Sequence, residues 1–136
     1  MRRVKRAVPR ALTAAAVLCL AVHAQPGAAG AHAGLPHAFD AGWEGRQTCK
    51  VLYRDDAVQV GHCVFPPGVG HEKHYHNPHF GYVLEGGTLS VRDSEGERTV
   101  TTRSGDSWST SARTVHEAVN VGDTSTSYLI VEPLAD

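Results

Sequence analysis

The stretch HEKHYHNPHFGYVLEGG, residues 71–87, places four of the chain's nine histidines within nine positions. They stand just ahead of an apolar run and a Gly-Gly turn. Imidazoles crowded this closely repel one another whenever they protonate. The crowding implies something that prefers the neutral form, and a metal ion is the usual candidate. In a strand, residues two apart share a face. His74 and His76 therefore point one way and Tyr75 the other; Glu72 shares their parity and His71 does not. Asn77-Pro78 is a turn signal. Beyond it His79, Gly81 and Val83 form one face, and Phe80, Tyr82 and Leu84 the opposite face. A hairpin-like turn brings His79 back beside His76, so three imidazoles can converge. The alternative is a histidine-rich exposed loop.

Outward from this stretch, short runs of Val, Tyr, Leu, Thr and Ile alternate with Gly, Asp, Ser and Pro. Strands are expected at 48–53, 57–65, 73–76, 79–85, 88–92, 98–102, 107–109, 115–120 and 127–132. Turn signals separate them, among them Asp55-Asp56, Pro66-Pro67-Gly68, Gly86-Gly87 and Gly122-Asp123. No segment of 43–136 shows sustained helical periodicity. The pattern is that of an all-β sandwich or barrel. Tyr75, Phe80, Tyr82 and Trp108 are expected to pack it, and Gly81 and Gly87 to serve tight strand geometry.

The first 24 residues have a different texture. A head carrying Arg2, Arg3, Lys5, Arg6 and Arg10 precedes a 12-residue apolar run, 11–22, and Val22-His23-Ala24 offers small residues ahead of a cut before Gln25. This is the layout of a signal peptide. The run is shorter than the roughly 20 residues a bilayer span needs, so no stable membrane anchor is expected after cleavage. Arg2-Arg3 is a poor match to a twin-arginine signal, and Leu18 before Cys19 does not fit lipidation. The expected location is secreted or periplasmic. Residues 25–42, rich in Ala, Gly, Pro and His, are expected to be a flexible lead-in, and 43–136 the barrel domain.

Cleavage changes the charge. Five of 13 basic residues lie in the leader, leaving eight against 14 acids, a net charge near −6. No basic surface is left to track phosphates, so nucleic acid is not an expected partner. Two cysteines remain, Cys49 and Cys63. A hairpin centred near residue 56 sets them opposite each other, within disulfide reach. In an oxidising compartment this pair invites a bridge; two buried thiols are the alternative.

Residues 68–120 resemble the cupin superfamily, small β-barrels with an internal metal site. The first cupin motif runs Gly, five residues, His-x-His, three or four residues, Glu, six residues, Gly. Here Gly68 is followed after five residues by His74-Tyr75-His76, and six residues before Gly86 stands His79 in place of the Glu, after a gap of two. The second motif runs Gly, five residues, Pro-x-Gly, two residues, His, three residues, Asn. Gly105, Ser111-Ala112-Arg113, His116 and Asn120 keep that spacing, with Ser111 for Pro and Arg113 for Gly.

The resemblance implies a double-stranded β-helix, or jelly-roll, barrel. It makes His74, His76 and His116 imidazole ligands, with His79 where the family places a carboxylate. An all-histidine site adds no negative charge, so its ion should attract anionic or chelating ligands and acidify its water more strongly. The implied cofactor is one divalent transition metal, Fe, Mn, Zn, Ni or Cu, among which the sequence does not choose. Glu72 is either a second acceptor or substitute ligand, or an exposed rim residue. Arg113 either orients an anionic substrate or lies on the surface.

Three functions fit. The first is a secreted metal-dependent enzyme acting on a small molecule chelated to the metal, by dioxygenase-like or Lewis-acid chemistry. The second is a non-catalytic module binding a metal or small ligand. The third is a closed structural zinc site of four histidines. The resemblance also implies a homodimer paired through edge strands.

Overall fold

The computed structural model describes residues 34–134. Among them are eleven strands and no helix. A two-stranded ribbon of β1 (Gly42–Trp43) and β2 (Arg46–Gln47) precedes two larger sheets. The first sheet joins β3 (Cys49–Arg54), β4 (Val58–Phe65), β11 (Thr126–Pro133), β6 (His79–Glu85) and β9 (Ser107–Thr110), in that spatial order. The second joins β5 (Gly70–His76), β10 (Thr114–Asn120), β7 (Thr88–Asp93) and β8 (Gly96–Thr101). Neighbours in all three are antiparallel.

The all-β jelly-roll expectation holds, and every expected strand is present with ends shifted by three residues or fewer. The period-2 pattern explains why. In β4 the residues Gln59, Gly61, Cys63 and Phe65 turn inward while their neighbours do not. In β11, Tyr128, Ile130 and Glu132 do the same. Phe65, Ile130, Tyr128, Leu89 and the two cysteines form the core between the sheets. Burying Phe65 or Ile130 contributes about 1.5–3 kcal/mol each. Cys49 lies opposite Cys63 in the β3–β4 register, and the two form a disulfide with their Cα atoms 4.0 Å apart. At the far end Asn120 ties three segments. Its Nδ2 donates to the carbonyls of Phe65 (2.7 Å) and Thr124 (2.8 Å), and its Oδ1 accepts from the Gly122 amide (2.9 Å).

Three expectations are corrected. Residues 25–42 are not flexible throughout: in their described part, Ala38, Phe39 and Ala41 are buried in the core. Phe39 fits because Gly61 lacks a side chain; a Cβ there would lie 2.2 Å from Phe39 Cε1. The segment also pairs with the free edge of β5, Ala38 N–H donating to Tyr75 O (2.9 Å) and Tyr75 N–H to Pro36 O (3.1 Å).

Second, Asn77-Pro78 does not close a hairpin. It carries the chain from β5 in one sheet to β6 in the other. His79 still arrives beside His76, but from the opposite wall.

Third, Phe80 and Tyr82 do not pack the interior. They are 44% and 40% exposed on the outer face of β6, where the parity of His79, Gly81 and Val83 leaves them. Gly81 behaves as expected, since a Cβ there would lie 2.2 Å from Trp108. The leader, residues 1–24, lies outside the described residues.

Candidate metal centre

β5 and β10 bring the histidines of the two motifs together. His116 is the direct cross-strand partner of His74, and Thr114 of His76. Both strands turn these positions toward the interior. His74 and His76 are fully buried and His116 is half-buried. Ring centroids are 4.8 Å apart for His74–His76, 4.6 Å for His74–His116 and 5.2 Å for His76–His116. One donor atom from each of the three lies within 4.8 Å of the others.

The protons follow from the neighbours. His74 Nδ1 faces the Glu72 carbonyl at 2.6 Å, and His76 Nδ1 faces Glu132 Oε1 at 3.3 Å. Both neighbours can only accept while Glu132 is ionised, so each Nδ1 carries the proton and each Nε2 is a bare lone pair. Those two Nε2 atoms stand 3.0 Å apart. Two acceptors at that distance repel unless a cation lies between them. Ligands 2.0–2.1 Å from a metal are about 2.9 Å apart at right angles and about 3.4 Å apart at the tetrahedral angle. The spacing and the all-nitrogen donor set therefore fit a divalent transition ion.

Burial enforces the ligating state. Desolvation, followed by repulsion from neighbouring imidazoles, holds His74 far below its ordinary pKa and pushes His116 down to about 3. His76 is lowered by desolvation, although its hydrogen bond to Glu132 opposes the shift. His71 packs over His74 at 3.8 Å between centroids and is pushed down to about 4, chiefly by burial; a register shift opposite His116 and Ala118 turns His71 inward and Glu72 outward, which corrects the parity expected of both.

His79 joins the cluster differently. Its ring centroid is 4.6 Å from that of His76. Its Nδ1 faces the Asn77 carbonyl at 2.9 Å, and its Nε2 accepts from Trp108 Nε1–H at 3.2 Å. The lone pair that could bind a metal is thus taken by an indole. Glu72 keeps its carboxylate on the surface, accepting from the Glu44 amide (2.9 Å), and serves His74 through its backbone carbonyl. Arg113 lies outside the cluster. It donates to Asn77 Oδ1 at 2.9 Å and stacks over Tyr75 at 4.6 Å.

Two residues beside the centre escaped the sequence reading, Glu132 and His37. Glu132 is fully buried. Burial alone would raise its pKa, but hydrogen bonds from His37, His76 and Gln59 hold it well below the usual carboxylate range. Its signal was an acid at the inward parity of an apolar strand, two residues past Ile130. His37 lies in the Ala/Gly-rich lead-in, where nothing marked it.

A cavity of about 320 Å³ opens beside His116 and His79. Its walls are largely apolar, with Leu89, Val91, Val100, Ala118 and Trp108 among them. Tyr128 also lines it, its phenol held protonated by burial. The Thr114 hydroxyl is buried there without a hydrogen-bond partner. Asp93 and Arg98 form an ion pair on the same lining.

Similarity to known proteins bears on the fold and the family. A cupin domain family model matches residues 61–132. Among solved structures, a cupin domain from Bordetella pertussis Tohama I is 25% identical. The match covers 64% of this chain and 92% of that one, with a TM-score of 0.61. The polyketide cyclase RemF from Streptomyces resistomycificus is 21% identical over 64% of each chain, with a TM-score of 0.53. An RmlC-like cupin with a double-stranded β-helix fold from Methanocaldococcus jannaschii is 18% identical over 66% of this chain and 84% of that one, with a TM-score of 0.51. No curated protein matches by sequence. With a family model spanning more than half its length and two sheets of the matching architecture, this chain belongs to the cupin family.

Proposed function

We propose that this chain is an exported, metal-dependent cupin enzyme that acts on a small, largely apolar molecule held in the barrel beside His74, His76 and His116. The observation that carries the reading is the pair of Nε2 atoms facing each other at 3.0 Å, each left without a proton by the acceptor beside its own Nδ1. A divalent transition ion bound there supplies Lewis acidity or, if redox-active, oxygen chemistry.

The chain's own residues shape what can bind. The apolar walls favour a hydrocarbon or aromatic body, and a volume of about 320 Å³ is at the small end for ligand cavities. Tyr128 keeps its phenolic proton and can donate it to an acceptor on the substrate. Thr114 Oγ1 offers a second polar contact. His79 presents Nε2 toward Trp108, and exchange of that bond would let it take a proton from a substrate at that atom. The same bond weighs against a closed four-histidine zinc site, because it occupies the fourth imidazole. The proposal of export rests on the leader layout of residues 1–24 and on the Cys49–Cys63 bridge, which an oxidising compartment preserves.

Oxygen uptake and product formation test the enzyme reading. Protein loaded with Fe(II) or Cu(II) is offered catechols, flavonols, diketones and thiols. Turnover that vanishes in His116→Ala is expected. Saturable ligand binding with no product under any metal would instead establish a binding module.

A further inference from the structure

Glu132 lies on β11, the middle strand of the five-stranded sheet, and is fully buried. Its Oε1 faces His76 Nδ1 at 3.3 Å. Its Oε2 accepts from Gln59 Nε2 at 2.9 Å and from His37 Nε2 at 2.7 Å. The His37 tautomer is set locally, because its Nδ1 accepts the Phe39 amide at 3.1 Å and so bears no proton. Nε2 must carry it. Three donors thus converge on one carboxylate, which leaves His76 Nδ1 protonated and His76 Nε2 free to face His74. Each donor comes from a different part of the chain: Gln59 from β4, His76 from β5, and His37 from the segment pinned to the edge of β5.

We propose that Glu132 is a positioning residue for the metal centre, fixing the tautomer and ring orientation of His76, and that His37 locks Glu132 in place, so that the segment before β1 is a working part of the site. This rests on the metal reading above. Carboxylates behind a ligating imidazole orient it and raise its basicity. Glu132 also brings a negative charge to within one imidazole of the ion. The carboxylate missing from the first motif is thereby supplied from 56 residues away, behind a ligand instead of on the metal.

The test compares full-length Glu132→Gln, His37→Ala and His116→Ala with the unaltered protein, using Cu(II) and Zn(II) as probes. Affinity is measured by competition with a chromophoric chelator, and pulsed EPR of the Cu(II) form counts bound imidazoles. A glutamine at 132 must turn an N–H₂ toward one of the three donors, so its affinity should fall about 10–100-fold, with His76 coupling weakened or lost. His37→Ala, one contact further from the ion, should lower affinity by more than twofold but by less than Glu132→Gln does. His37 lies near the surface, so this variant keeps the test alive if Glu132→Gln does not fold. Affinities within twofold of the unaltered protein in both variants, with metal lost in His116→Ala, would overturn the positioning role. Full metal binding by His116→Ala would overturn the metal reading itself.

Discussion

His116 stands directly across from His74 in the β5–β10 pairing, although 42 residues separate them in sequence. Antiparallel strands turn directly opposite residues to the same face, so the two rings meet inside the barrel with centroids 4.6 Å apart. Metal affinity is therefore folding energy, since the pair exists only once the sheet has formed. A bound ion at 100 times its dissociation constant should add about 2.7 kcal/mol. The check is thermal unfolding with and without added metal: a rise is expected for the unaltered protein and none for His116→Ala.

Acid should destabilise the metal-free protein. Burial lowers His71 to about 4 and His116 to about 3, against an ordinary 6.5. Below pH 6.5 the unfolded chain takes up protons that the native state refuses, so stability falls as pH drops and levels off near the folded values. Each such imidazole costs about 1.4 kcal/mol per pH unit within that window. Denaturant midpoints measured from pH 7 to pH 4 should decline steadily. A flat profile would mean that these histidines are not buried and neutral.

How much of this was readable in advance follows from what strand parity can and cannot encode. Parity placed His74 and His76 on one face and Tyr82 opposite His79, because alternation is local. A hairpin centred near residue 56 likewise set Cys49 against Cys63, as the register has it. Parity does not say which strand lies beside which, so the Asn77-Pro78 turn looked like a hairpin when it crosses between sheets. It also cannot show that Trp108, 29 residues from His79, takes the latter's lone pair. Phe39 was missed because what makes room for it is the missing side chain of Gly61.

The Trp108 bond makes the coordination number testable. With Nε2 of His79 engaged, Cu(II) should show three imidazoles by pulsed EPR. Trp108→Phe removes the donor and frees His79, so the count should rise to four. Four imidazoles already present in the unaltered protein would show that the indole yields to the ion.

The Cys49–Cys63 bridge spans 14 residues, for which loop closure contributes about 3 kcal/mol. Cys49→Ser with Cys63→Ser should lower the urea midpoint accordingly. Cys49 Sγ lies 3.8 Å from His71 Nε2, and His71 packs on His74, so metal affinity should weaken alongside. Equal midpoints in reduced and oxidised protein would contradict a bridge that contributes to stability.

Phe39→Ala should cost about 3–5 kcal/mol, as for a buried phenylalanine elsewhere, and should release residues 36–41 from the edge of β5. Faster proteolysis in that segment would report the release.

Metal content is the most direct test of the centre itself. The unaltered protein, His74→Ala and His116→Ala are loaded with metal, desalted and analysed for elements. About one divalent ion per chain is expected in the first and almost none in the two variants. Metal retained at the unaltered level in both variants, or absent from all three, would contradict a centre built by these imidazoles.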